Sequence, residues 1–194
     1  MLTPSQPDEI AASAATFEAQ RPRLLGVSYR ILGSMVDAED VVQDAWLRWS
    51  TVAPATVGNP GAFLTTVVTR LSIDRLRQVK TRREIYAGPW LPEPITADVD
   101  PQAAAELADS LSLAVLVLLE TLSPLERAAF VLREVFSEPY PAVAEILGRD
   151  EAAVRQLVHR ARRHIDDGGA RFRADRATHT AVVHSSPMLA GPRT

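Results

Sequence analysis

No cysteine occurs among the 194 residues, which excludes a disulfide framework, a thiolate zinc site and a cysteine nucleophile. Long apolar runs are missing too. The longest, Leu111 to Leu122, is interrupted by Ser112 and Glu120 and falls short of a membrane span. Residues 1–10 carry Asp8 and Glu9 but no basic residue, so no secretory signal is expected and a cytoplasmic location is. Catalytic fingerprints are absent as well: there is no P-loop, no dinucleotide-binding glycine motif and no G-x-S-x-G elbow. His159 and His164 stand five apart, as do His179 and His184, a spacing that does not place two ligands on one helix face. No catalytic residue, metal, cofactor or membrane association is therefore expected, and the protein does not read as an enzyme.

A composition of 46% hydrophobic and 23% charged residues belongs to a globular chain rather than a disordered one. The net charge of −3 is unevenly spread. Residues 1–50 hold four arginines against seven acids, whereas residues 51–92 hold six basic residues against two. Residues 93–126 carry seven acids and no base, residues 127–148 are close to neutral, and residues 149–194 hold nine arginines against five acids. Two basic blocks are thus hidden by acidic ones. Local charge, not the total, sets attraction to phosphate.

Apolar residues recur at helical spacing almost throughout, with little strand signal. Asp37 reads as the N-cap of a helix whose stripe is Ala38, Val41, Val42, Ala45 and Trp49. Phe17 to Leu32 forms an amphipathic segment before it. The stretch from Ser50 to Gly61, with Pro54, Gly58 and Pro60, breaks the pattern into a loop. A third helix is expected from about Ala62 to Glu84, basic in its C-terminal half. Prolines 89, 92, 94 and 101 prevent helix and ladder pairing, which makes this stretch a linker. A second helical unit starts near Ala103. Its next helix opens on Ser123-Pro124-Leu125-Glu126, an N-cap, a proline at the first turn and a capping-box glutamate. The Gly168-Gly169 pair reads as a helix stop, and periodicity fades by about Ser185. The expected fold is all-α: two small helical domains at 14–85 and 104–167, a Pro-rich acidic linker at 86–103 and a partly disordered tail at 168–194.

Pro141 to Leu147 reads as a short helix, Gly148-Arg149-Asp150 as a tight turn, and Glu151 as the start of a basic helix. Together they make a helix-turn-helix. Val154, Leu157, Val158, Ala161 and Ile165 share one stripe of the second helix, so Ala152, Gln156, His159 and Arg163 point the other way, flanked by Arg149, Arg155 and Arg160. A small residue permits close approach to a major groove, Gln and Arg read base edges, and arginines clamp phosphates. This much predicts DNA binding without saying what kind.

Three stretches together resemble the extracytoplasmic-function (group 4) sigma factors of the sigma-70 family. Asp37-Ala38-Glu39-Asp40-Val41-Val42-Gln43-Asp44-Ala45-Trp46-Leu47 resembles the part of region 2 that docks on core RNA polymerase. Asn59-Pro60-Gly61-Ala62-Phe63-Leu64, running into Arg70-Leu71-Ser72-Ile73-Asp74-Arg75-Leu76-Arg77, is similar to the part that reads the −10 element. Leu122-Ser123-Pro124-Leu125-Glu126-Arg127 through Arg160-Ala161-Arg162 resembles the region 4 helix-turn-helix, which binds the −35 element. The resemblance covers roughly residues 14 to 167. It implies core RNA polymerase and promoter DNA as partners, and promoter-directed transcription initiation as the activity. Asp40, Gln43, Asp44 and Leu47 would then face polymerase. Asn59 would hold a flipped base of the −10 element, with Phe63 as a stacking platform or a core residue. Arg70, Arg75, Arg77, Lys80, Arg82 and Arg83 would track the melted strand. Trp49 lies on the buried stripe and is expected in the core, and Asp74 is expected to hold a neighbouring arginine.

Gly88-Pro89-Trp90-Leu91-Pro92-Glu93-Pro94 is similar to the signature of the subgroup whose members carry a C-terminal SnoaL-like domain. Arg171-Phe172-Arg173-Ala174-Asp175 resembles the lead-in to that domain, but nineteen residues follow it, too few for an α+β fold. The sequence identifies neither a regulatory domain nor an anti-sigma partner. Linker acids such as Asp98 and Asp100 are expected to mimic nucleic acid inside polymerase. Two other readings stand beside this one. A helical interaction protein could sequester polymerase without initiating, and a dimeric helix-turn-helix regulator would leave the Asp37–Arg83 unit unexplained.

Overall fold

Helix boundaries follow from where the chain supplies caps and glycines. A computed structural model describes residues 6–52, 56–85 and 113–184, which are helical with short turns and contain no strand. The linker prolines and acids named above, with the 104–112 and 185–194 portions of the expected units, lie outside the described residues.

Helix α1 spans Gln6–Leu32, starting well before the Phe17 expected from the apolar pattern. It ends at Gly33, whose φ of 77° needs a residue without a side chain. Helix α2 spans Met35–Trp49 with Ser34 as its N-cap, the Ser34 hydroxyl accepting from the Asp37 amide at 3.3 Å. Asp37 is therefore not the cap. It sits in the first turn, where its charge suits the helix dipole and its carboxylate is free to reach another helix. The expected stripe of Ala38, Val41, Val42, Ala45 and Trp49 is buried throughout. Helix α3, Pro60–Ile85, opens on Asn59, whose Oδ1 accepts from the Ala62 amide at 3.0 Å. These three helices enclose one core of Leu24, Val27, Ile31, Val42, Trp49, Leu64, Val68 and Leu76.

The second unit comprises α4 (Leu113–Leu119), α5 (Pro124–Phe130), α6 (Tyr140–Leu147) and α7 (Glu151–His184). The capping box predicted at Ser123 and Glu126 is present, with Pro124 at the first helical position. After Phe130 the helix widens into a π turn, Val131–Val135, and Ser137 follows in the left-handed region at φ 55°. Helix α6 starts at Tyr140, one residue before the expected Pro141. Gly148, at φ 61°, turns the chain toward Asp150, whose Oδ1 caps the Ala153 amide at 2.7 Å. Leu119, Leu122, Leu132, Val143, Val154, Val158 and Ala161 form the interior.

Helix α7 does not stop at Gly168. It continues to His184, and a Cβ on Gly168 would meet the Leu118 side chain at 3.0 Å. The glycine is there because α4 crosses α7 closely, not because the helix ends.

Glu126 shows how the second unit is tied together. Its carboxylate accepts from the Ser123 amide (3.1 Å), the Ser123 hydroxyl (2.7 Å) and Arg160 (2.9 Å), with His164 3.8 Å away. Burial works to raise its pKa, but the Ser123 and Arg160 hydrogen bonds and the nearby His164 outweigh it and hold the carboxyl below its ordinary 4.5. A group with a lowered folded pKa contributes stability above its unfolded value and loses it as pH falls through the folded one. Glu126→Gln should cost about 1–3 kcal/mol at neutral pH. The part of that stability that comes from the lowered pKa should be lost from the native chain as pH falls below about 4.5, so that the gap between the two proteins narrows in acid. Parallel curves from pH 7 to pH 3 would contradict this.

Candidate nucleic-acid interfaces

Burial of Val154, Leu157, Val158 and Ala161 fixes which side of α7 faces out. Ala152, Gln156, His159 and Arg163 are all exposed on the opposite side, and Arg149 is exposed in the turn before it. The two flanking arginines are more constrained. Arg155 lies over the Tyr140 ring, 4.3 Å from its centroid, and pairs with Glu151 at 3.0 Å. Arg133 stacks on the same ring at 4.6 Å. Arg160 is held by Glu126, which ties its guanidinium to α5. Tyr140 and Glu126 were not legible as supports of this face, because each reaches α7 from another helix.

Of the second cationic set, along α3, Arg70, Arg75, Arg77 and Lys80 are each engaged, and the side chains of Arg82 and Arg83 lie outside the described residues. Arg70 donates through Nε to the Ile146 carbonyl at 3.0 Å and through Nη2 to the Glu145 carbonyl at 3.3 Å. Lys80 donates to the Leu122 carbonyl at 2.6 Å. Arg75 binds Asp37 at 2.6 Å and approaches Asp40 at 3.6 Å; the Asp37 hydrogen bond holds Arg75 all the more firmly in its charged form. Arg77 is exposed and pairs with Asp74 at 3.3 Å, the neighbouring-arginine role expected of Asp74. Trp49 is fully buried and donates from Nε1 to the Ser13 carbonyl at 3.0 Å. Phe63 is half-buried with its ring 5.9 Å from that of Trp49.

Asn59 uses Oδ1 to cap α3, which leaves the amide nitrogen as the atom for a base edge. With Phe63, Thr66 and Arg70 it lines a cleft of about 490 Å³ whose other wall includes Glu138 and Glu145.

On α2, Asp40, Gln43, Asp44 and Leu47 are exposed. Leu47 (57%) and Val36 (64%) are the exposed large hydrophobics among the described residues, and Val36 falls one turn before Asp40 on that side of the helix. Sequence reasoning missed Val36 because it placed the helix start at Asp37. No group of three or more His, Asp or Glu residues able to hold a metal lies among the described residues. None of the described helices is long and apolar enough to cross a membrane.

An all-helical chain with a helix-turn-helix unit packed against a three-helix bundle that carries its own cation ladder is thus defined. The family model for sigma-70 region 2 matches residues 16–83, and that for sigma-70 region 4 matches residues 112–165. The two models together match more than half of the chain, which belongs to the sigma-70 family. It is 50% identical over 153 residues to the ECF RNA polymerase sigma factor SigJ of Mycobacterium tuberculosis (strain ATCC 25618 / H37Rv), covering 77% of this chain and 48% of that protein. It is 33% identical over 190 residues to the probable ECF RNA polymerase sigma factor SigI of Mycobacterium tuberculosis (strain CDC 1551 / Oshkosh), covering 93% of this chain and 62% of that one. The chain therefore spans less than two thirds of these relatives. The crystal structure of Mycobacterium tuberculosis SigJ is similar at a TM-score of 0.63 and 42% identity, over 89% of this chain and 60% of that one. The sigma factor RpoE of Bartonella quintana, solved with the anti-sigma factor NepR, shares the fold at a TM-score of 0.58 and 20% identity, over 77% of this chain and 91% of that one.

Proposed function

We propose that the chain is a sigma subunit: it binds core RNA polymerase through α2 and directs initiation at promoters read by α3 and α7. The observation that carries this reading is the pairing, on one chain, of an exposed α7 face bearing Gln156, His159 and Arg163 with the separate α3 set that starts at Asn59. One surface suits duplex base edges in a major groove. The other combines arginines with an aromatic and an amide, the set that a flipped, melted strand requires. The acidic, partly apolar face of α2 fits a basic polymerase surface, and a cytoplasmic location goes with that partner. On this reading the protein is an initiation factor and catalyses no reaction of its own.

The test is a footprint of the reconstituted holoenzyme on genomic promoter fragments. Two protected patches are expected, the upstream one made by α7. Arg163→Ala should weaken that patch by about 1–3 kcal/mol and leave the downstream one in place. Asn59→Asp keeps a capping side chain but removes the amide donor, and should weaken the downstream patch instead. A footprint unmoved by either change would overturn the assignment of both faces.

A further inference from the structure

The two carboxylate oxygens of Glu126 are divided between two helices. Oε2 accepts from the Ser123 amide and hydroxyl, which closes the capping box of α5, and His164 approaches the same oxygen at 3.8 Å. Oε1 is left over by that cap, and it accepts from Nε of Arg160 in α7 at 2.9 Å. The carboxylate is buried, whereas the Arg160 side chain is 51% exposed. Which nitrogen of the arginine is bound matters. A guanidinium held through Nε keeps both terminal Nη groups for a second acceptor pair, and those of Arg160 have no partner among the described residues. The neighbouring arginines of α7 differ. Arg155 spends Nη2 on Glu151, and Arg162 spends Nη2 on Glu134. Arg163 is exposed and lacks an anchor among the described residues. Of these four, Arg160 alone combines an anchored stem with an unspent fork. It stands four residues from Gln156 and three from Arg163, spacings that make it their neighbour at the edge of the outward face.

We infer that Glu126 is a positioning residue for DNA recognition: by holding Nε it presents the Arg160 fork to an acceptor pair on the upstream element. That pair is either two phosphate oxygens or the O6 and N7 of a guanine, both matched by a planar fork. Fixing the guanidinium before DNA arrives removes much of its ordering cost from the binding step. The inference rests on the reading of α7 as the upstream grip. It also runs against simple electrostatics. Deleting a carboxylate beside a DNA surface, and freeing an arginine from its ion pair, would strengthen attraction to phosphate. Loss of positioning weakens binding instead, so the sign of the effect separates the two.

The test is a double-mutant cycle on the reconstituted holoenzyme, read from the upstream patch of promoter fragments that the native holoenzyme protects. E126Q should weaken that patch by about three- to tenfold, the equivalent of ordering one long side chain. R160A should weaken it by at least as much, and E126Q/R160A no further than R160A alone. Footprinting below the melting range of each variant, set by circular dichroism, keeps the comparison among folded proteins. R160K offers Glu126 a cation but spends it there, so it should resemble R160A, a readout that stands even where E126Q does not fold. An E126Q loss confined to fragments with one particular base pair identifies a guanine as the acceptor. A loss equal on all fragments, with the salt slope reduced by about one, identifies a phosphate. Unchanged or tighter binding by E126Q would overturn the inference, as would native binding by R160K. So would an E126Q loss that persists undiminished in the R160A background, because Glu126 would then act through the fold. Absence of an upstream patch with the native chain would remove the α7 reading itself, and the inference with it.

Discussion

Trp49→Ala should destabilise the N-terminal bundle by about 3–5 kcal/mol, the range for truncating a fully buried large aromatic. Trp49 is the last residue of α2 and is 0% exposed. Its indole nitrogen binds the Ser13 carbonyl in α1, and its ring lies against Phe63 at the start of α3. One side chain therefore joins all three helices. Alanine leaves a cavity and removes one hydrogen bond to the Ser13 carbonyl, a loss of about 1 kcal/mol. Trp49→Phe keeps most of the ring and loses the hydrogen bond, so it should cost clearly less. Urea denaturation followed by circular dichroism measures both. Because Trp49 supports Phe63 and, through it, the Asn59 cap, any folded fraction of the alanine variant should bind the −10 strand poorly. A loss below about 1 kcal/mol for Trp49→Ala would mean that the bundle does not depend on this anchor.

The second large effect is on assembly. D44R/L47D reverses one charge and removes the apolar member of the exposed α2 face, while leaving the buried stripe untouched. Substitutions at exposed positions away from caps and cores change stability by about 0.5 kcal/mol or less, so the variant should fold normally. Its affinity for core polymerase should fall by about 2–4 kcal/mol, the range for residues at the centre of an interface, and native gel titration with core enzyme reads this. Unchanged core binding would place the polymerase-facing surface elsewhere on the chain.

How legible each feature was depended on how local its physics is. The α2 stripe, the Ser123 capping box, the Gly148 turn and the outward face of α7 all follow from residues within a few positions of one another, and the structure has them where the sequence placed them. The misreadings are also physical. Asp37 has the chemistry of an N-cap, but Ser34 stands three residues earlier beside a glycine, and Asp37 is drawn instead to Arg75 in α3. Gly168 has the chemistry of a helix stop, but its small size serves the crossing of α4. Both errors arise because the deciding partner is distant in sequence. For the same reason the partners of Arg70, Lys80 and Arg160 were invisible: charge spacing marks a cation but does not say whether a phosphate or a carbonyl of the same chain receives it. Val36 was missed through the misplaced cap alone.

Run-off transcription tests the central claim most directly. Purified chain and core polymerase are combined on a pool of genomic promoter fragments, with core alone and the D44R/L47D variant beside them. The sigma reading predicts discrete transcripts that need the native chain and vanish with the variant. Core binding without any specific transcript would contradict it and favour a protein that sequesters polymerase.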